Sequence, residues 1–442
     1  MREFDNVIVG NGFRAMMTAY ASASKNKKTL LITHSKNIGG VLSPLDWEGG
    51  SFDKGYQFFD GCDQYCKNVL ENFLGKDVFT DFGYGAASVT NKKIYEYHAL
   101  PYWPHMGVKF RLMAIIQIIQ KLIFTDKSNN KSYYDLIKNH PNNIKKILLK
   151  ACKKNFTLPA EKVSYLAEDY NPFITFRMTL FNDFIGKFLK KNFPIFDKFL
   201  AVRRHTINLE NFSLYPKGKN MGYVVKLMEE KLLKMGVEIL ISKNTKIEKD
   251  TGELKIKTDE SSFTAKKVFL TAELDDIIKF FNESILLDPC NYYVPQIFYY
   301  FKTDKLISKF QYVHGNDLNM YTNRGSNVSL YGEKTKDNKN VIIAEVPMDI
   351  NSEIWKNPNI IVDKIWNELK IMKLVCDKEK MGFYQFFKIE KTFSVPLVNF
   401  DKNLQTIQEL IKTEYYGNIE MPGAGRINRY NFIRSLKGYF ND

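Results

Sequence analysis

The hydrophobic and polar positions of the first 33 residues fall into three blocks. Phe4-Asp-Asn-Val-Ile-Val9 runs from a charged start into a β-branched stretch, the pattern of a buried strand. Gly10-Asn-Gly12 breaks it, and residues 16–24 follow with helical periodicity. Alanines at 15, 19, 21 and 23 are small enough for that helix to lie close on a sheet. Lys28 to Thr33, KTLLIT, predicts the second strand of a strand-turn-helix-strand unit. From about residue 91 to 209 the pattern changes to helical segments rich in Phe, Ile, Leu and Lys, with few glycines. From Tyr215 a glycine loop, a helix over 221–235, a strand over 237–242 and further short strands to Thr271 restore the α/β alternation. The runs YYVPQIFYYF, NVSLYG and NVIIAEVP between 291 and 347 predict an antiparallel sheet, and 358–372 a helix. A glycine turn at 422–426 leads into a C-terminal helix.

Glycine turns that lead into helices at both ends bracket the rest, so the domains are built from discontinuous pieces. Residues 1–90, 210–285 and 395–442 form one domain, 91–209 a mainly helical insert, and 286–394 a substrate domain.

With 442 residues, 44% hydrophobic and 26% charged, the chain is globular and long enough for more than one domain. The 64 Lys and Arg against 49 Asp and Glu leave a formal charge of +15, which favours an anionic partner. The lysines are scattered, however, and no basic stripe carries interleaved aromatics, which argues against nucleic acid. Five cysteines, Cys62, Cys66, Cys152, Cys290 and Cys376, are odd in number and spread out, as in a reducing compartment. Cys62 and Cys66 could share a helix face, but no second Cys/His pair accompanies them and no metal site is expected. Arg2 to Val9 reads as a strand rather than a leader, which places the protein in the cytoplasm. The most apolar window, 106–124, is interrupted by Lys109, Arg111, Gln117, Gln120 and Lys121 and does not span a bilayer. Residues 181–204 alternate Phe, Ile and Leu with Lys and Arg at helical spacing. They are read either as a core-packed helical region with a solvated basic face or as peripheral contact with the inner face of the membrane.

A Gly-x-Gly-x-x-Ala turn between strand and helix lets the backbone approach a pyrophosphate, and the helix N-terminus offers it free amides. Gly10, Gly12 and Ala15, with Phe13 and Arg14 between, occupy this position. An acidic residue usually ends the second strand and binds ribose; here Thr33 stands there, followed by His34 and Ser35.

The continuation Gly39-Gly40-Val41-Leu42, leading to Asp53-Lys-Gly55-Tyr-Gln57-Phe-Phe59, resembles the second signature of the flavin amine oxidase superfamily. Leu214-Tyr-Pro-Lys-Gly218 through Asn244-Thr-Lys-Ile247, and Val268 to Ala272, are similar to two further blocks of that superfamily. Gly417 to Tyr430, Tyr321-Thr-Asn323-Arg324, Ile343-Ala-Glu345-Val-Pro347 and Phe393-Ser-Val-Pro396 resemble segments of its UDP-galactopyranose mutases. The resemblance covers about two-thirds of the chain and is weakest in the insert. It implies an α/β fold: a Rossmann-like, glutathione-reductase-like FAD-binding domain, a mixed antiparallel-sheet substrate domain and a helical insert.

It further implies FAD held by the glycine turn, by Thr33, His34 and Ser35, by Gly39 to Leu42, by Ile247 at the adenine end, and by Gly425 and Arg426 at the pyrophosphate. In the mutases a histidine beside the flavin occupies the position of Gln57, whose amide hydrogen-bonds but does not titrate. Their redox-neutral reaction uses two arginines to clamp a diphosphate, with tyrosines beside them. Arg324 and Arg429, with Tyr321 and Tyr430, are the matching substrate candidates. Gln57, Arg324 and Tyr430 are the candidate catalytic groups. The implied function is an FAD-dependent oxidoreductase acting on a nucleotide sugar or related glycoconjugate of surface-polysaccharide biosynthesis. A mutase-type isomerase, an amine or porphyrinogen-type oxidase at a membrane, and a binding-only flavoprotein stay open.

Overall fold

The computed structural model describes residues 2–83, 85–97, 112–113, 115–116, 131–140, 142–167, 174, 181–198, 200, 202, 212–249, 253–281, 288–415, 417–424 and 428–437. The chain opens with β1 (Arg2–Val9), α1 (Phe13–Ala23) and β2 (Thr29–Thr33), the unit its pattern predicts. A short hairpin, β3 (Leu45–Trp47) and β4 (Gly50–Phe52), precedes β5 (Phe59–Cys62) and α2 (Gln64–Leu74). Next come β6 (Phe79–Asp81), β7 (Ala86–Thr90) and β8 (Lys93–Glu96). Helices α3 (Tyr133–Ile137), α4 (Asn142–Phe156) and α5 (Asp183–Asn192) follow. Then β9 (Phe212–Pro216), α6 (Met221–Lys234), β10 (Glu238–Ile241), β11 (Lys246–Lys249), β12 (Leu254–Lys257) and β13 (Ser262–Leu270) resume the alternation. The last part holds β14 (Asn291–Thr303), β15 (Tyr312–Gly315), β16 (Arg324–Ser326), β17 (Asn340–Pro347), α7 (Val362–Ile371) and β18 (Tyr384–Pro396). It closes with α8 (Phe400–Glu414), β19 (Ile419–Glu420) and α9 (Arg429–Ser435).

One sheet runs β10-β2-β1-β13-β12-β11, with β19 also on β13. β10, β2, β1, β13 and β19 are parallel, and β12 and β11 turn back antiparallel. Side chains alternate across it, as the two-residue period of a strand requires. Ile8 and Leu31 join the core formed with α1 and α6, while Val7, Val9, Leu30 and Ile32 join the core under α8. A sheet buried on both faces needs apolar residues at consecutive positions, which is why β1 and β2 read as unbroken runs.

A second sheet runs β18-β14-β17-β16-β15-β7-β8 and is antiparallel except for β15 beside β7. Phe298, Tyr300 and Ile343 face the α1/α6 core, and Ile297, Tyr299 and Ile342 face α7. A division at residue 90 falls inside the β7–β8 hairpin, and both of its strands belong to this sheet. Cys62 ends β5 whereas Cys66 lies in α2, so the two buried thiols do not share a helix face. Most of the apolar window 106–124 lies outside the described residues; among those described, no helix is long and apolar enough to cross a membrane.

Candidate functional site

The N-terminal glycine turn has an open side and a closed one. A Cβ on Gly10 would overlap the Thr271 hydroxyl at the end of β13, so only glycine lets these strands meet there. A Cβ on Gly12 would meet nothing within 4 Å. Gly12 is also the N-cap of α1 and offers no side chain to the first-turn amides, so the helix N-terminus is uncapped on its side-chain side and suits an anion. Gly39 and Gly40, at φ of 118° and 58°, adopt the left-handed conformations that glycine tolerates. The Gly39 amide donates to the Asn11 carbonyl at 2.7 Å, and a Cβ on Gly40 would lie 3.5 Å from the Gly12 Cα. Val41 beside them is exposed and Leu42 buried. The described part of the C-terminal turn reaches the same place, since a Cβ on Gly423 would lie 3.1 Å from the Arg14 Cδ. Gly425 and Arg426 lie outside the described residues.

Two residues assigned to the adenosine end are spent inside the protein. The Thr33 hydroxyl, buried, donates to Asn11 Oδ1 at 2.6 Å, so its proton is not offered to a ribose. Ile247 is fully buried in the core beneath α8. His34 is exposed and Ser35 partly so, which leaves those two at the edge of the turn.

The loop 53–58 forms a wall between α6 and the second sheet. Asp53 Oδ2 accepts from the Tyr215 hydroxyl at 2.6 Å, and Oδ1 accepts from the Met221 amide at 3.0 Å, at the N-terminus of α6. Burial pushes the Asp53 carboxyl up to about 7, against the pull of Tyr215, Met221 and the Arg429 charge. Gly55, at φ 72°, brings the loop against Glu345, where any Cβ would strike the carboxylate. Gln57 uses both ends of its amide: Nε2 donates to the Lys54 carbonyl at 3.2 Å, and Oε1 accepts from Arg429 Nη2 at 2.5 Å. Arg429, the first residue of α9, also donates to the Phe58 carbonyl at 3.1 Å. Burial lowers its guanidinium to about 10, so it stays cationic at neutral pH.

Arg324 grips Glu345 with two parallel bonds, Nε to Oε1 and Nη2 to Oε2, each 2.7 Å. Glu345, buried in β17, also accepts from the Tyr56 amide and the Ser326 hydroxyl at 3.2 Å. Burial depresses the guanidinium, and the Glu345 carboxylate more than restores it, leaving Arg324 above its ordinary value. The Arg324 carbon sits 5.6 Å from the Tyr56 ring centre and 6.0 Å from that of Tyr312.

The structure thus brings Gln57, Arg324 and Arg429 to one wall and leaves the two tyrosines apart. The Tyr321 amide donates to Glu368 at 2.9 Å and its ring lies 4.3 Å from Lys364 Nζ, on the α7 side of the second sheet. The Tyr430 ring lies 5.3 Å from the Arg434 guanidinium, and its carbonyl accepts from the Cys66 thiol. Sequence reasoning missed Asp53 and Glu345 as site residues. The signal for Glu345 was present: one carboxylate in the apolar run NVIIAEVP requires a buried cation.

No family model and no curated protein sequence matches the chain. Its fold, a Rossmann-like α/β layer joined to a mixed sheet, is shared by solved structures of a UDP-galactopyranose mutase and of two amine oxidases. The reduced UDP-galactopyranose mutase is similar at TM-score 0.71 and 12% identity, over 99% of this chain and 93% of that one. Putrescine oxidase bound to putrescine gives 0.63 at 11% identity, over 99% of this chain and 98% of the other. Cyclohexylamine oxidase from Brevibacterium oxydans gives 0.63 at 11%, over 100% of this chain and 99% of the other.

Proposed function

We propose that this chain is an FAD-dependent oxidoreductase of the cytoplasm, acting on a nucleotide sugar or related glycoconjugate in surface-polysaccharide biosynthesis. The observation that carries the reading is the open face at Gly12, where an uncapped helix N-terminus meets the Gly39-Gly40 turn. Gly12, the first-turn amides of α1, Gly39, Gly40 and Val41 would hold the FAD, with His34 and Ser35 toward the ribose. Bound there, the flavin supplies a two-electron hydride acceptor.

The chain's own contribution is positioning and charge. Arg429 fixes the Gln57 amide, so that position carries a hydrogen-bonding group that does not titrate. Arg324 spends Nε and Nη2 on Glu345 and keeps Nη1 for a phosphate oxygen of the substrate. A redox-neutral mutase is the second reading. It is favoured by the TM-score of 0.71 to the galactopyranose mutase, against 0.63 for each of the two oxidases.

The test is the visible absorbance spectrum of the purified protein, then anaerobic dithionite reduction with UDP-galactopyranose and chromatography of the sugar. The two-band spectrum of oxidised flavin, bleached anaerobically by a nucleotide sugar before dithionite is added as the sugar is oxidised, is the expected result. A furanose product formed only after reduction would establish the mutase. A colourless protein that FAD does not reconstitute would end both readings.

A further inference from the structure

Helix α5 is amphipathic in the inverse sense to a core helix. At 100° per residue Phe184, Phe188 and Ile185 fall within one 100° arc, and Gly186 lies on the other side. The apolar side is the one turned to solvent: Phe184 is 82% exposed, Phe188 57% and Ile185 42%. The opposite side meets the protein, with Gly186 buried so closely against Val202 that a Cβ there would collide with it. The chain then turns into a single 3-10 segment, Pro194–Lys198, and the exposure continues through Phe193 and Ile195 at 50% and 44%. Of the two readings of residues 181–204, the one with a solvated basic face and a buried apolar one does not describe α5.

Scattered exposed apolar residues need no explanation, but five within twelve residues, three of them on one side of α5, do. The charges around them decide what covers them. Lys187 and Lys191 flank Phe184 along the same edge of the helix. Asp183 and Asp197 are the acidic residues of the stretch, so it is cationic, within a chain of net charge +15. A symmetric dimer through this face would bring two cationic patches together. A surface that is apolar within and anionic at its rim satisfies both halves.

We infer that α5 and the 3-10 segment after it form a docking surface for an anionic lipid bilayer, with Phe184, Ile185 and Phe188 entering the headgroup boundary and the lysines meeting lipid phosphates. The inference does not depend on the flavin or on the substrate.

Flotation of the full chain with phosphatidylcholine vesicles, with and without about 30% phosphatidylglycerol, tests it. The expected result is binding to the anionic vesicles that falls about tenfold in Phe184→Ser/Phe188→Ser and is weakened by salt. Lys187→Gln/Lys191→Gln should lose the preference for anionic lipid. Both pairs lie at the surface, and far-UV circular dichroism confirms that each variant is folded. Absence of flotation, equal flotation by the Phe variant, or a dimer in light scattering that this variant abolishes would overturn the proposal.

Discussion

Arg429 Nη2 donates to Gln57 Oε1 at 2.5 Å across a separation of 372 residues, and so ties α9 to the loop between α6 and the second sheet. A second bond from the same guanidinium to the Phe58 carbonyl fixes its plane. Removing the side chain leaves two acceptors without a donor in a partly buried place, and each such loss costs about 1–3 kcal/mol. Arg429→Ala is therefore expected to lower the unfolding free energy by about 3 kcal/mol in urea titrations. Arg429→Lys should recover less than half, because an ammonium does not reproduce the planar fork. Wild-type stability in Arg429→Ala would show that the guanidinium serves only a ligand.

Asp53 gives a pH dependence with a definite sign. Its carboxyl is raised by burial from 3.8 to about 7, so between those values the folded chain holds a proton that the unfolded chain releases. The stability tied to this group is fully present below 3.8 and is lost as the pH rises through about 7. A shift of that size corresponds to about 4 kcal/mol. Asp53→Asn stays neutral throughout. Its unfolding free energy relative to wild type should rise between about pH 4 and 7 and level off above about pH 8. A difference that does not change with pH would mean that Tyr215, Met221 and Arg429 keep the carboxylate ionised.

The two glycines of the N-terminal turn separate folding from ligand binding. Gly12 has extended backbone, φ −116° and ψ −171°, and open space where a Cβ would go. Gly12→Ala should keep the unfolding free energy within about 0.5 kcal/mol of wild type and weaken flavin binding at least about tenfold, read by fluorescence titration. Gly10→Ala should do the reverse in order, because its Cβ overlaps the Thr271 hydroxyl, and lose about 2 kcal/mol before any ligand is added. Equal flavin affinity in Gly12→Ala would remove the turn from the binding site.

The strand-turn-helix unit was legible because everything that defines it is local: β-branched runs, small residues in α1, and glycines at fixed offsets. The α/β class and the mixed sheet were legible for the same reason. What local pattern does not carry is pairing. β7 belongs to the second sheet because Val89 lies opposite Gly315, and nothing near residue 89 announces that. Periodicity showed α5 to be amphipathic but not which side the rest of the chain covers. Thr33 read as a ribose ligand by its offset from the turn, whereas its hydroxyl is taken by Asn11, a residue inside that same turn.

Arg324 read as one of two clamps for a substrate diphosphate, and without any ligand it is already half of a buried pair with Glu345. A carboxylate with 4% of its side chain exposed cannot be left without a counter-charge. The Tyr56 amide and the Ser326 hydroxyl are its remaining donors, and neither carries charge. Arg324→Ala is therefore expected to destabilise the fold by about 3–5 kcal/mol, seen as a lowered midpoint in thermal unfolding without any substrate present. Arg324→Ala/Glu345→Ala, which removes the stranded charge as well, should be more stable than Arg324→Ala alone. That ordering distinguishes an internal pair from a residue kept only for a ligand. If Arg324 acted solely on substrate phosphate, Arg324→Ala would unfold at the wild-type midpoint, and the second substitution would add its own cost instead of relieving the first.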